Sequence, residues 1–261
     1  MRLLFTAMLV VLFGHVGGIA FASEGGAAGE PRHPKQLDWK FEGILGTFDR
    51  QSAQRGFKVY KEVCSACHSI KRIAFRNLQE LGFSEAEVKS LAGSYLIKDG
   101  PNDEGEMFER PGRPSDRIPS PFLNDNAARA ANNGALPPDL SLIIKAREDG
   151  PNYVYSLLTG YETPPEGFVV GENMHYNPYF AAGGDQLAMP PPLIEDGQIE
   201  YTDGTSSTID QMSKDVVNFL EWTAEPELEE RKAMGLRVLI FLSVFTGIFY
   251  LAYKKIWRNV H

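Results

Sequence analysis

The two cysteines of this 261-residue chain lie three positions apart, and a histidine follows the second one directly. The motif reads Cys64-Ser65-Ala66-Cys67-His68. In a C-x-x-C-H motif the two thiols add to the two vinyl groups of a haem, and the histidine reaches the iron. On a helix Cys64 and His68 are four residues apart and share one face. The motif therefore predicts one covalent haem c with His68 as the proximal iron ligand.

Three other chemistries use closely spaced cysteines: a zinc site, a thioredoxin-type redox pair and a structural disulfide. Zinc needs further thiols or paired histidines, and the sequence has no other cysteine. A redox C-x-x-C motif opens a helix after a strand in a βαβ pattern, and no such pattern precedes Cys64. The sequence therefore favours haem over all three alternatives.

A haem iron that only transfers electrons has a sixth ligand, whereas an open position serves gas or peroxide chemistry. Met189 precedes three prolines, which fix the backbone after it and suit a weak thioether bond. Methionine ligation would raise the potential of the haem, and a histidine would give a lower one. The residues alone leave four candidates open: Met107, Met174, Met189 and His175.

The residues before the motif form a helical pattern that would position it. Residues 51–63 carry Gly56 and Tyr60 one turn apart, and Cys64 lies one turn further on. The pattern is similar to that of class I cytochromes c, in which such a helix packs against a C-terminal helix. A glycine there lets the two backbones approach closely.

Residues 208–221 are the predicted partner of this helix. Thr208 and Gln211 have the spacing of a capping box. Five apolar residues recur at helical spacing and form one stripe. They are Ile209, Met212, Val216, Phe219 and Leu220. We expect these side chains to be core rather than haem ligands.

An apolar segment opens the chain. Residues 1–22 combine Arg2, an apolar run and an Ala-x-Ala ending, which predicts a signal peptide cut after Ala22. An N-terminal membrane helix is the alternative, but His15 and two glycines interrupt the apolar run and leave it short for a span.

A second apolar segment lies near the other end. Residues 233–253 contain one charge, Arg237, and at about 1.5 Å per residue they cover the roughly 30 Å of a hydrocarbon layer. A buried core helix is the alternative, but the segment has no polar face. Glutamates precede it and Lys254, Lys255 and Arg258 follow, so the main domain is predicted outside and the tail in the cytoplasm.

The composition is that of a globular domain, with 43% hydrophobic and 23% charged residues. The mean hydropathy of -0.24 excludes a polytopic membrane protein. Residues 23–231 hold 20 Lys+Arg against 34 Asp+Glu, a net charge of about -14 before any cofactor. Such a charge disfavours nucleic acid and favours a basic partner.

Several long motifs resemble those of the cytochrome c1 family, the haem subunits of the cytochrome bc1 complex. They include AARAANNGALPPDLS at 127–141, KAR at 145–147, YVYSLLTGY at 153–161, YNPYF at 176–180 and AMPPP at 188–192. The resemblance runs from about residue 43 into the last helix. Two features of some relatives are missing from this sequence: a second cysteine pair near the haem and large acidic insertions.

The resemblance implies roles for individual residues. Cys64 and Cys67 match the haem attachment points, and His68 and Met189 match the two axial ligands. Met107 would then be structural.

Five further residues match positions around the haem. Arg147 and Tyr153 match residues beside the haem propionates, although a surface salt bridge is the alternative role of Arg147. The haem-pocket loop is matched by Asn132, Pro137 and Pro138.

The resemblance also implies a function. The chain would be a membrane-anchored monohaem cytochrome that accepts electrons from a Rieske iron–sulfur subunit and passes them to a soluble or tethered cytochrome c. It would act beside a cytochrome b subunit in a dimeric ubiquinol–cytochrome c oxidoreductase of a bacterial inner membrane, and would be no enzyme on its own. An acidic cluster offers a candidate docking site for a basic cytochrome c: Asp103, Glu104, Glu106 and Glu109.

Two rivals belong to other classes. A stand-alone tethered shuttle, or a cytochrome subunit of another reductase, would share the C-x-x-C-H motif and the anchor but not the long motifs. A haem peroxidase or gas-reducing enzyme would keep one iron position open, and its reduced form would bind carbon monoxide.

The predicted fold is mainly α, a class I cytochrome c-like haem domain with long loop insertions between residues 93 and 203 and one C-terminal transmembrane helix. The predicted domains are a signal peptide at 1–22, a periplasmic haem domain at 23–231, and an anchor with a short cytoplasmic tail at 232–261. Residues 169–170 and 198–202 are predicted to form a short hairpin.

Overall fold

The computed structural model describes residues 32–258, and the predicted signal peptide lies outside them. Within this range the chain is mostly helical, as predicted. The α-helices are α1 (Arg50–Glu62), α2 (Glu85–Gly93), α3 (Asp125–Ala131), α4 (Gly150–Leu158), α5 (Ile209–Ala224) and α6 (Leu228–Trp257). Three 3-10 helices span Cys64–Ala66, Phe75–Leu81 and Ala181–Gly183.

The strands form two small antiparallel pairs within the long insertion between α2 and α5. Strand β1 (Leu96–Asp99) pairs with β2 (Phe108–Pro111), and β3 (His175–Tyr176) pairs with β4 (Gln186–Leu187). Neither pair extends into a larger sheet, so the insertion is mostly irregular chain, as expected from its prolines and glycines.

The hairpin predicted for residues 169–170 and 198–202 is wrong, because neither segment forms a strand. The Gln198 side chain accepts a hydrogen bond from Ile194 N at 2.9 Å and donates one to Pro192 O at 3.0 Å. Such local side-chain bonds hold a turn and compete with strand pairing.

Helices α1 and α5 form the centre of the core. A Cβ atom on Gly56 would collide with the backbone carbonyl of Asp215 on α5, which confirms the predicted close approach at this glycine. The apolar stripe predicted on α5 is buried as well, apart from partly buried Ile209. Phe219 of this stripe packs against Phe57 and Tyr60 of α1, with ring centroids 5.6 and 5.8 Å apart.

The capping box predicted for α5 is only half formed. Thr208 accepts the N–H of Gln211 at 3.1 Å, as predicted. The Gln211 side chain instead donates to Asp215 Oδ1 at 3.0 Å. The bond from the Gln211 amide to the buried carboxylate is charge-assisted and stronger than the neutral bond that the Gln211 oxygen would accept from Thr208 N–H, so the glutamine turns away from the helix end.

One carboxyl group is buried at the end of α5. Glu221 is 4% exposed, and its Oε2 makes no hydrogen bond within residues 32–258. Burial raises the pKa of Glu221, the nearby charges of Glu225 and Glu42 act in the same direction, and Lys145 at 3.7 Å opposes them. Because the folded-state pKa is raised, the group contributes full stability below its unfolded pKa and loses it as pH rises.

We therefore expect Glu221→Gln to leave stability unchanged near pH 4 and to increase it at pH 7, because the amide stays neutral where the buried carboxyl is driven to ionise. Denaturant unfolding at the two pH values measures the difference. Glu225→Gln is the matched control, and its effect at neutral pH should have the opposite sign. Glu225 is an ionised partner of Lys145 and Arg231, and its pKa is lowered. A loss of stability in Glu221→Gln at pH 7 would contradict this assignment.

Helix α6 is long and apolar enough to cross a membrane, with a mean hydropathy of 1.9 and no burial against the rest of the chain over its apolar part. It contains the predicted segment 233–253. The helix begins at Leu228, which is buried, so one continuous helix passes through the predicted domain boundary after residue 231. The location of that boundary remains a prediction.

Candidate haem site

The C-x-x-C-H motif lies directly after α1 in a single tight turn. Within it, the N–H groups of Cys67 and His68 both donate to Cys64 O, at 3.1 and 2.8 Å. The buried Tyr60 of α1 donates its hydroxyl to His68 O at 3.0 Å, which fixes the end of the turn. Neither cysteine forms a disulfide, and the turn brings both together with the histidine.

The imidazole of His68 is oriented by one hydrogen bond. Its Nδ1 lies 2.8 Å from Pro138 O. A carbonyl oxygen only accepts, so Nδ1 carries the proton and Nε2 keeps its lone pair. Burial lowers the pKa of His68, although the bond to Pro138 opposes this shift. A neutral imidazole with a free Nε2 is the form that binds a metal.

A carboxylate joins the motif to the loop that carries Pro138. Asp139 Oδ2 accepts hydrogen bonds from the hydroxyl of Ser69 at 2.7 Å and the N–H of Lys71 at 2.9 Å. Leu140 N also donates to Ser69 O at 2.8 Å. Burial alone would raise the pKa of Asp139, but these hydrogen bonds outweigh it and the pKa is lowered. Sequence reasoning missed Asp139, although it stands inside the motif at 127–141.

Met189 belongs to a second group of side chains. Its backbone carbonyl accepts a hydrogen bond from Tyr161 Oη at 3.0 Å. Burial raises the pKa of Tyr161, and the nearby Tyr153 adds to the shift. Tyr153 in turn lies close to Arg147, whose charge partly offsets the effect of burial on the pKa of Tyr153. The structure therefore brings together Met189, Tyr161, Tyr153 and Arg147, and Tyr161 is a second residue that sequence reasoning missed.

The end of α4 holds the segment that leads to Met189. The Asn177 side chain donates to Leu157 O at 2.8 Å, which ties the β3–β4 pair to this helix. A Cβ atom on Gly160 would collide with the ring of Tyr179. The small residue before Tyr161 thus allows the β3–β4 segment to pack against the end of α4.

The other residues predicted around the haem, Asn132 and Pro137, make contacts of their own. Asn132 donates to Ala128 O at 2.7 Å and ends α3, while half-buried Pro137 precedes Pro138 in the loop that contacts His68. Within residues 32–258 no hydrogen bond links the His68–Pro138 group directly to the Met189–Arg147 group.

The remaining ligand candidates occupy short turns and strands. Met107 is 57% exposed and lies over Gly100, which suits a structural role. Met174 closes a turn by donating its N–H to Gly171 O at 3.1 Å, and His175 pairs with Leu187 across β3 and β4.

The chemistry of these residues fits a haem better than the alternatives. In the described part of the chain, no cluster of three or more His, Cys, Asp or Glu side chains could hold a metal ion. Burial raises the pKa of the Cys64 thiol to about 12, whereas redox-active thiols have a lowered pKa. Leu136 and Leu142, on either side of the Pro138–Asp139 stretch, are 37% and 38% exposed and offer apolar surface for a porphyrin.

A mainly helical domain with a C-x-x-C-H turn after its first helix, an oriented imidazole and an apolar C-terminal helix defines the class of membrane-anchored c-type cytochromes. The model of the Cytochrome C1 family matches residues 39–260. The chain belongs to the cytochrome c1 family, the haem-bearing electron-transfer subunits.

Relatives agree with this family over most of the chain. Cytochrome c1 of Rhodospirillum rubrum is 49% identical over 94% of this chain and 93% of its own length. A mitochondrial cytochrome c1 heme protein of Arabidopsis thaliana is 48% identical over 90% of this chain and 77% of its own length. The protein named cytochrome b/c1 of Bradyrhizobium diazoefficiens is 51% identical over 87% of this chain, which spans 36% of that relative.

Proposed function

We propose that this chain is the c1 subunit of a bacterial bc1 complex, which accepts electrons from the Rieske iron–sulfur subunit and passes them to a basic cytochrome c. The observation that carries the proposal is the orientation of the His68 imidazole: its Nδ1 donates to Pro138 O, which leaves Nε2 free. The family model matches the chain from residue 39 to residue 260. The subunit makes and breaks no substrate bonds, and its residues supply position, potential and docking charge.

The cofactor would be one haem c, which supplies a one-electron iron couple when bound. Cys64 and Cys67 would hold it through thioethers, and His68 and Met189 would ligate the iron. The carbonyl of Pro138 would raise the basicity of His68 through its bond to Nδ1. The hydroxyl of Tyr161 would hold the backbone of Met189.

Charged and polar residues would bind the edges of the haem. Arg147 and Tyr153 lie close together, which supports their assignment to the propionates. The guanidinium of Arg147 is exposed and donates to the carbonyl of Ala146 at 2.9 Å. It has five N–H donors, so donors remain for a carboxylate. Asn132 and Pro137 would shape the loop without contacting the iron.

The charges that flank α6 support a placement of the chain in the membrane. Lys254 and Lys255 follow the apolar part of α6, and glutamates precede it, which supports a periplasmic haem domain and a single pass through a bacterial inner membrane. The name of the Bradyrhizobium relative joins cytochromes b and c1, which supports a cytochrome b partner here. A dimeric complex is proposed from the family resemblance.

A reduced-minus-oxidised visible spectrum of the protein purified in mild detergent tests the function. We expect a c-type band together with b-type bands, and reduction of both by quinol. A lone c-type band that quinol does not reduce would instead indicate a free-standing shuttle. Carbon monoxide binding to the reduced haem would indicate an open iron position and an enzyme.

The acidic cluster between residues 103 and 109 supports a basic electron acceptor. Its four side chains are all exposed, in β2 and in the turn that joins it to β1. We expect rising ionic strength to slow reduction of a basic cytochrome c, because salt screens exposed charges beyond about 10 Å at 0.1 M. Stopped-flow reduction measures the salt dependence.

A variant that neutralises all four acids as amides should show a smaller salt dependence and a lower rate at low salt. An unchanged salt dependence in the variant would move the docking surface elsewhere, and a salt-independent wild type would contradict electrostatic steering.

Tyr161→Phe should weaken the hold on Met189 without removing the ligand. A hydrogen bond of this kind contributes about 1 kcal/mol, so the fraction of oxidised protein in which the sulfur leaves the iron should rise several-fold. Binding of external imidazole to the oxidised haem measures that fraction.

Tyr155→Phe is the control for Tyr161→Phe. It removes a hydroxyl from α4, which ends three residues before Tyr161. This hydroxyl bonds to Asp210 at 2.5 Å and makes no hydrogen bond to Met189. Equal imidazole binding in the two variants would contradict a specific role for Tyr161.

A further inference from the structure

A sharp turn before α1 exposes two large aliphatic side chains. Gly46 N donates to Gly43 O at 3.4 Å, and Gly43 has a φ of 71°. Ile44 and Leu45 occupy the two corners of this turn and are 80% and 79% exposed. Corner positions favour Gly, Pro, Asn, Asp and Ser. Two adjacent aliphatic residues at the corners are therefore unusual in water, and we infer that an apolar environment covers them.

The turn packs on a cluster of aromatic residues. Trp39 stacks on Phe41 with ring centroids 5.4 Å apart, and Phe41 contacts Phe48 at 6.0 Å. Both phenylalanines are buried. The backbone closes above them through Thr47 N, which donates to Lys40 O at 2.9 Å. The two aliphatic side chains are thus presented at a fixed place.

Residues at the start of α6 bind the backbone at both ends of the turn at residues 43–46. The ammonium of Lys232 donates to Phe41 O at 2.6 Å and to Gly46 O at 3.2 Å. One turn earlier, Glu229 accepts the N–H of Phe48 at 2.7 Å and pairs with Arg50 at 2.7 and 2.8 Å.

Lys232 is also the last residue before the apolar stretch of α6. Residues 229–232 are all charged, and residues 233–236 begin the segment that enters the hydrocarbon. Charged residues at this position lie at the level of the lipid headgroups. Because Lys232 binds the carbonyls on both sides of the turn, Ile44 and Leu45 lie beside the point where α6 enters the bilayer.

We propose that Ile44 and Leu45 insert into the outer leaflet as a second membrane contact beside α6. Apolar side chains held at this level bury into the boundary between headgroups and acyl chains. The contact, the Lys232 bonds and the Glu229–Arg50 pair would fix the tilt of the haem domain relative to the membrane. This contact rests on the proposed orientation, with α6 crossing the bilayer and the haem domain on the outer side, and not on the partners of the haem.

Site-directed spin labelling of the full chain, in the assembly with which it purifies and in phosphatidylcholine vesicles, tests the contact. A nitroxide is attached to Leu45→Cys and, as an independent second site, to Ile44→Cys. Val169→Cys is the matched control, because Val169 is 85% exposed and its segment forms no hydrogen bond with α6 in the described residues. The unmodified assembly gives the background labelling, and the haem spectrum reports whether each variant is folded.

Power saturation with oxygen and with a water-soluble nickel chelate gives the accessibility of each label. We expect the oxygen-to-nickel ratio at positions 44 and 45 to be several-fold higher than at position 169. A ratio equal to that of the control would place the turn in water. Low accessibility to both reagents would place it against another protein subunit, and either result would overturn the proposal.

Discussion

Met189→Leu should lower the midpoint potential of the haem by roughly 0.2 V or more, because axial ligands set haem potentials over a range of about 0.8 V. The thioether favours reduced iron, and leucine fills a similar volume without a donor. The reduced variant should also gain carbon monoxide binding, since one iron position is open. A potentiometric titration followed at the c-type absorbance band measures the potential.

Two methionine controls test whether Met189 is the ligand. Met107→Leu and Met174→Leu change the same atoms in segments that the structure places in other turns, and we expect both variants to keep the wild-type potential. An unchanged potential in Met189→Leu with a large drop in Met174→Leu would move the ligand to Met174. If no methionine variant lowers the potential, His175 becomes the candidate.

The C-x-x-C-H motif could be recognised in the sequence because it is local. Cys64, Cys67 and His68 lie within one turn, so their spacing alone determines which atoms can meet. The partners that orient them are distant in sequence: Pro138 and Asp139 contact the motif across about seventy residues. A proline carbonyl and a lone aspartate give no periodic signal, so only the folded chain identifies their roles.

The fold, like the site, was predictable where the signal is local. Helices α1 and α5 follow from apolar periodicity and from one glycine, and the structure confirms both. The β3–β4 pair has two residues on each strand, too few for an alternating pattern to appear. The β1–β2 pair depends on Arg110, which bonds to Asp99 and Asp116 and holds the pKa of Asp116 at about 2. Such an ionic cluster has no fixed spacing in sequence.

Helix α1 connects the two functional ends of the domain. Arg50 at its start pairs with Glu229 of α6, and Cys64 follows its last turn. Thirteen residues at 1.5 Å each separate these points by roughly 20 Å along the helix axis. The distance between the haem motif and the start of α6 is therefore set by the length of one helix.

Arg55→Met should destabilise the haem domain by about 3–5 kcal/mol, the cost of breaking a buried ion pair from one side. The guanidinium of Arg55 bonds to Asp215 through Nε at 2.8 Å and Nη2 at 3.0 Å. The Asp215 side chain has no solvent exposure. Without Arg55 the donors that its carboxylate keeps among residues 32–258 are the neutral side chains of Ser52 and Gln211. Denaturant unfolding of the full chain in detergent measures the loss.

Arg50→Met is the matched control, because it removes the same group from the same helix. Its partner Glu229 is 29% exposed and Arg50 is 43% exposed, so water replaces the pair and the loss should stay below about 1 kcal/mol. Adding Asp215→Asn to Arg55→Met should recover most of the stability, since no buried charge then remains. Equal losses in the two single variants, or no recovery in the double variant, would show that Arg55 acts through packing rather than through its charge.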